Sequence, residues 1–345
     1  MGDRVPKPTI KDVARAAGVS LGTASRVINS NATVNPKLRV KVLEAISILG
    51  YSPNAVAQSM RLKTTQAIAI IIRDITVPGF SHFIKSAQEI LYDAGYVLML
   101  AASEDSKDRE LGILNSLARR RIDGLIMSTM SENDEDLVAA REEVGVPIVL
   151  LDREPTGTAD AIILGYREGT QQAVEYLLNL GHARIALITG SLETRPGRER
   201  FLGYEDAFAA AGLAVDRRLM RARNFTPEYA FVESTAMLNG RDPPTAIIAG
   251  GVAMLPGVMR AIAASNLRIP ADISVIGSIN SELSELATPP ITVVNVDYRA
   301  IGIEAARLLL DRLDNALEDP PRRLKFGTSL IIRQSCAPPT ASRLR

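Results

Sequence analysis

The 345-residue chain has no tryptophan, one cysteine, two histidines and only 4% aromatic residues. The single thiol, Cys336, rules out an internal disulfide framework and fits a reducing compartment, where it reads as a bystander. His82 and His182 are the only imidazoles available as neutral-pH bases, and no spacing ties either to a nucleophile. LGH at 180–182 reads as a helix stop, with His182 satisfying carbonyls. There is no GxxxxGK[ST] loop, no GxGxxG after a strand, no HExxH and no nucleophile elbow. Nothing calls for a cofactor or a metal, and an enzyme is not expected. Long apolar runs are missing too. AIAIII at 67–72 is too short to span a bilayer, and MGDRVPKPTIKDVARAAG holds no apolar core of signal-peptide length. A cytoplasmic protein without membrane association is expected.

The net charge of +1 hides an asymmetry. Residues 1–65 carry ten Lys or Arg against three acids, a net of +7, and the remaining 280 carry thirty basic against thirty-six acidic groups, a net of −6. A small basic head on a mildly acidic body points to a head that meets a polyanion.

The head reads as short helices. Thr9 caps a first helix through Ala17, with Ile10, Val13, Ala14 and Ala17 on one face, and Gly18 ends it. Ser20 caps a second helix over 21–29, in which Ala24, Val27 and Ile28 form a narrow buried stripe. Leu21, Gly22, Ser25, Arg26 and Asn29 are left outside. Asn35-Pro36 opens a third helix with Leu38, Val42, Ala45, Ile46 and Leu49 toward the core, stopped by Gly50. Two helices joined through Gly18 and braced by a third describe a helix-turn-helix. Residues 54–61 are expected to form a short helix followed by a polar linker.

Glycine costs about 1 kcal/mol inside a helix. Gly22 is accounted for if the second helix enters a DNA major groove, where a missing side chain allows close approach. Arg26 then suits a bidentate guanine contact, Leu21 a thymine methyl, and Thr23, Ser25 and Asn29 phosphates or base edges. The competing reading is a merely solvated face. Met60 is either a core filler or an apolar wedge for the minor groove, with Arg61 and Lys63 on phosphates.

From residue 66, apolar strands alternate with amphipathic helices. Strands are expected at 66–72, 96–102, 123–128, 147–151, 184–189, 245–250 and 273–277, buried on both faces, with helices near 80–94, 107–120, 132–144, 168–180, 198–211, 228–238 and 253–265. This alternation predicts an α/β body of two doubly wound parallel-sheet lobes with ligand binding in the cleft between them.

TIKDVARAAGVSLGTASRVIN, followed by GYSPNAVAQSM, resembles the head and hinge of the lactose-repressor (LacI/GalR) family of bacterial transcription regulators. The likeness continues through LDRE (151–154), YLLNLGHARIALITG (176–190), RERFLGYEDAF (198–208), PTAIIAG (244–250), RIPADISVIG (268–277) and LATPPITVV (286–294). The resemblance implies a head over 1–53, a hinge and linker over 54–65, and an effector-binding and dimerisation body over 66–340 that resembles a periplasmic sugar-binding protein. It implies crossovers near 162, 291 and 322, giving lobe 1 as 66–161 plus 295–322, lobe 2 as 162–291 plus 323–340, and a tail at 341–345. It places Thr9, Ser20, Leu21, Gly22, Thr23, Ser25, Arg26, Asn29, Asn54, Met60 and Arg61 on operator DNA, with Met60 at the hinge wedge. A tetramerising leucine repeat is absent after SLIIRQSCAPP, so a homodimer is expected.

The resemblance also implies an effector-contacting arginine, Arg200, with Asp74, Phe80, Asp152, Gly250, Ile279 and Asn280 as further cleft candidates. Gly250-Gly251, Ile279 and Gly165-Tyr166 stand where the family has carboxylates and amides. The expected effector is therefore an anionic or less polar molecule, or another sugar-derived one, rather than a neutral hexose; a cleft without small-molecule control is the alternative. The function implied is a sequence-specific DNA-binding regulator, expected to be a repressor. A solute-binding protein or a sugar-processing enzyme with a regulatory head are the other classes.

Overall fold

The computed structural model describes residues 8–28, 34–51, 64–154, 157–314 and 320–340. It separates into two units, residues 1–65 and 66–345.

In the first unit, α1 (Ile10–Ala17), α2 (Leu21–Ile28) and α3 (Pro36–Leu49) follow the local signals. The Thr9 backbone N–H and hydroxyl both donate to Asp12 Oδ2, at 2.9 and 2.7 Å. Gly18 takes the left-handed conformation (φ 63°) that ends α1. Ser20 Oγ accepts from Thr23 N at 3.2 Å to open α2, and the Asn35 side chain accepts from Lys37 N at 2.9 Å to open α3. Val13, Ala14, Ala17, Ala24, Val27, Val42 and Ala45 close a core of small side chains. Leu38, expected inside, is exposed, because α3 turns its core stripe inward only from Val42 onward.

The second unit contains two six-stranded sheets. The first has the order β11-β5-β4-β3-β1-β2, where β1 is Ala67–Ile72, β2 Val97–Ala102, β3 Gly124–Met127, β4 Ile148–Leu151, β5 Asp160–Leu164 and β11 Arg323–Phe326. All of its pairings are parallel. The second has the order β12-β10-β9-β8-β6-β7, where β6 is Ile185–Gly190, β7 Met220–Arg223, β8 Ala246–Ala249, β9 Ser274–Ser278, β10 Thr292–Asn295 and β12 Ser329–Ile331. Only β12 runs antiparallel to its neighbour. Helices α4 (Phe80–Asp93), α5 (Lys107–Arg120), α6 (Glu135–Val144) and α12 (Tyr298–Asp314) flank the first sheet. Helices α7 (Tyr166–Asn179), α8 (Arg195–Ala210), α9 (Pro227–Leu238) and α10 (Leu255–Ala264) flank the second, and short α11 (Glu282–Leu286) precedes β10. Continuous apolar runs become strands buried on both faces, as in β1, β3, β6, β8 and β9. The run at 96–102 is an exception: β2 is an edge, so Val97 and Leu100 are exposed.

Strand pairing moves the lobe boundaries expected at 162, 291 and 322. Leu151 pairs with Ile162 and Leu164 with Phe326, so residues up to 164 and 323–326 belong to the first sheet. Thr292–Asn295 belongs to the second. The chain therefore crosses at 165, 296–297 and 327–328. The His182 ring meets Thr245 Oγ1 at 2.8 Å, Ser274 Oγ at 3.1 Å and the Ala337 carbonyl at 2.9 Å, fastening the last segment to the second lobe.

One buried ion pair fixes the end of α12 and the start of β11. Arg312 reaches Asp160 with Nε and Nη2 at 2.8 and 2.7 Å, and the Arg322 backbone N–H adds a bond of 2.6 Å. Burial disfavours the Asp160 carboxylate, but these donors more than offset it and hold its pKa below the ordinary value. Asp160→Ala should destabilise the body by about 3–5 kcal/mol, since it strands a buried guanidinium. Urea unfolding of the full chain measures this, and a loss under 1 kcal/mol would show the pair to be dispensable.

Candidate DNA interface and effector cleft

On the head, α2 presents Leu21, Gly22 and Arg26 to solvent, with Thr23 and Ser25 half-buried behind them. A β-carbon added at Gly22 would meet nothing nearer than Ser20 Oγ at 3.9 Å and Arg26 Nη2 at 4.0 Å. No packing inside the head therefore requires this glycine. Arg26 Nε bonds back to the Gly22 carbonyl at 3.2 Å, laying the guanidinium along the bare side of the helix. Ser20 and Thr23 share a hydroxyl hydrogen bond of 2.9 Å, and Thr9 is exposed with its polar atoms committed to Asp12. Asn29, Asn54, Met60 and Arg61 lie outside the described residues.

In the body, the carboxyl ends of both sheets face a cavity of about 230 Å³. Phe80, Asp152 and Arg200 line it. Gly250 and Ile279 line a smaller apolar chamber that shares Tyr166, Arg200, Val252 and Tyr298 with the main cavity. Asp74 and Asn280 do not reach either space. Asp74 Oδ1 accepts from the backbone N–H and hydroxyl of Thr76, at 2.8 and 2.7 Å, which closes a tight turn after β1. Asn280 is exposed and bonds Glu285 and Arg333 beside α11.

Several lining residues carried no local signal: Arg73, Arg153, Arg223, Phe225 and Tyr298. Arg200 stands over the Tyr166 ring, 3.6 Å from its centroid, and donates to the Pro196 carbonyl at 2.9 Å. Burial raises the pKa of both Tyr166 and Tyr298, whose hydroxyls are hydrogen-bonded, so both phenols are neutral at physiological pH. Arg153 is buried, with Nε on the Thr129 carbonyl at 2.6 Å and Nη1 on the Asp152 carbonyl at 2.9 Å.

The lobes are joined across this space by charge. Arg195, the first residue of α8, sends Nη1 to Asp152 Oδ1 and to the Leu164 carbonyl, both at 2.9 Å, and Nε to Glu154 Oε1 at 3.2 Å. Buried Glu132 accepts from the Arg195 backbone N–H at 2.8 Å and from Arg198 Nη2 at 3.0 Å. The carboxylates come from lobe 1 and the guanidinium groups from lobe 2. Asp152 also adopts φ 52°, in the left-handed region that few non-glycine residues occupy and Asp enters more readily than most.

Burial pushes the Asp152 carboxyl up to about 6 from 3.8, against the pull of Arg195, Arg153 and Arg200. Between about pH 4 and 6 the folded state holds a proton that the unfolded chain has released. The contribution of Asp152 to stability is thus greatest below pH 4, falls as pH rises through this window by at most about 1.4 kcal/mol per unit, and is constant above it. Denaturation of the full chain and of Asp152→Asn from pH 4 to 8 should give a steeper decline for the unsubstituted protein. Parallel profiles would contradict the assignment.

Comparison with known proteins agrees with this geometry. Residues 9–54 match the family described as bacterial regulatory proteins, lacI family, and residues 174–336 match a periplasmic binding protein-like domain. The chain is 35% identical over 333 residues to the HTH-type transcriptional repressor PurR of Glaesserella parasuis serovar 5 (strain SH0165), covering 95% of this chain and 98% of that protein. It is 34% identical over 331 residues to the PurR repressor of Proteus mirabilis (strain HI4320), covering 95% and 97%. Among solved structures, the Lac repressor dimer bound to operator and the anti-inducer ONPF superposes with a TM-score of 0.84 at 29% identity, covering 96% of this chain and all of that one. A CelR–cellobiose complex gives 0.70 at 31%, covering 95% and 99%. A basic helix-turn-helix ahead of two parallel-sheet lobes, matched over nearly the full length by these repressors, places the chain in the lacI family of bacterial regulatory proteins.

Proposed function

We propose that the protein is a cytoplasmic, non-enzymatic transcriptional repressor that grips a pseudo-palindromic operator as a homodimer and answers to a small molecule held between its lobes. The observation that carries the DNA-binding part is the α2 face. Gly22 weakens a short helix with no packing reason inside the head, and Arg26 lies beside it without a carboxylate partner among the described residues. A close-approaching major groove supplies the missing reason. The relatives named as repressors, and the Lac repressor dimer on its operator, support the regulatory sense and the dimer. The lined cavity and its charged bridge support effector control.

Two substitutions separate folding from recognition. Arg26→Ala should weaken specific binding by about 1–3 kcal/mol and relax preference at one base pair per half-site, with little change in stability. Unchanged discrimination in a gel-shift competition would remove Arg26 from the contact. Gly22→Ala should raise the stability of the head by roughly 0.5–1 kcal/mol while weakening or redirecting operator binding. Thermal melting and the same competition read the two effects, and a less stable head with intact binding would reverse the interpretation.

A further inference from the structure

The cleft has a chemical bias that the fold alone does not require. Aromatic surface, scarce in this chain, is concentrated on its walls: Phe80 and Tyr298 from lobe 1, Phe225 from lobe 2, and Tyr166 at the first crossing. Phe80 meets Tyr298 edge-on, with ring centroids 5.8 Å apart. The Phe225 ring lies so low on the second lobe that a β-carbon at Gly190 would come within 2.0 Å of it and one at Gly251 within 2.6 Å. Both positions must stay bare for the ring to lie there. The adjoining chamber has no carboxylate or amide side chain among its described lining residues, and Ile279 closes part of it. Sugar hydroxyls would find no carboxylate or amide acceptor in this chamber.

The charge of the cleft points the same way. Asp105 is spent on Arg73 at 3.0 Å, and Asp152 on Arg195 at 2.9 Å. Arg200 and Arg223 form no ion pair among the described residues, and exposed Glu193 is the one lining carboxylate without a cation partner there. The Arg200 guanidinium stands over Tyr166, 3.6 Å from its centroid, and 5.7 Å from the Phe225 centroid. A buried guanidinium with no ion pair among the described residues favours a carboxylate approaching its free edge, and aromatic rings on both lobes favour a ring between them.

Accepting the effector reading above, on which this rests, we infer that the cleft takes a single-ring aromatic carboxylate, with its carboxylate on Arg200 and its ring among Phe80, Tyr298 and Phe225. The cavity of about 230 Å³ lies below the usual range of drug-sized sites, which favours a small ligand of about one ring.

Calorimetric titration of the full chain tests this with benzoate and 4-hydroxybenzoate, set against cyclohexanecarboxylate, benzamide, hypoxanthine, glucose and ribose 5-phosphate. The aromatic acids should bind at least tenfold more tightly than the saturated acid and the neutral amide. Arg200→Lys should weaken them at least tenfold. Phe225→Leu, with an unchanged melting temperature, should erase the preference for the aromatic over the saturated acid. Equal binding of benzoate and cyclohexanecarboxylate, or full affinity in Arg200→Lys, overturns the inference. Tighter binding of a sugar, sugar phosphate or hypoxanthine overturns the ligand class and leaves the effector site standing. No heat from any probe overturns the inference and the effector reading together.

Discussion

Arg195 is a cation held where two lobes meet, at 6% exposure, and lobe 1 surrounds it with Asp152, Glu154, Glu132 and the Leu164 carbonyl. Removing such charges from water costs several kcal/mol each, so the arrangement is stable only when its acceptors are all in place. That condition fixes the distance between the lobes and the shape of the space beside them. It also brings Arg200, five residues further along α8, over Tyr166 at the first crossing. Opening the lobes would break several charge-assisted bonds at once, so the joint favours discrete arrangements over gradual ones. An effector bound at this joint would act by changing how well those charges are answered.

The head divides its labour differently. Its core is built from alanines and valines, small enough for three short helices to pack closely, and its caps are local. Very little of α2 is needed for folding, which leaves Leu21, Gly22 and Arg26 free to be chosen for what they touch outside the chain. Specificity and stability therefore sit on different residues of one helix.

Much of this was legible in the sequence because it is written locally. Gly18 and Gly50 end helices in left-handed geometry, Asn35-Pro36 begins one, and the unbroken apolar runs become central strands. Strands β5, β7, β10, β11 and β12 were not expected. MRAR at β7 and RLKF at β11 are short and charged, and β11 pairs with β5, a strand more than 150 residues earlier. The cleft follows the same division. The resemblance pointed to Arg200, and the structure sets it on the cavity wall, whereas Phe225 and Tyr298, 73 residues apart and on different lobes, meet there only through the chain crossing at 296–297. Asp74 lies off the cavity for a local reason: its carboxylate, two residues before Thr76, closes its own turn.

Recognition of one operator by two copies of the α2 face is what the rest of the molecule would control. Selection of bound duplexes from a random DNA pool by the full-length protein, followed by sequencing, tests it most directly. A two-fold symmetric motif, with half-sites spaced by whole turns of about 34–36 Å, is the expected result. Enrichment of a single asymmetric site, or of no sequence at all, would contradict it.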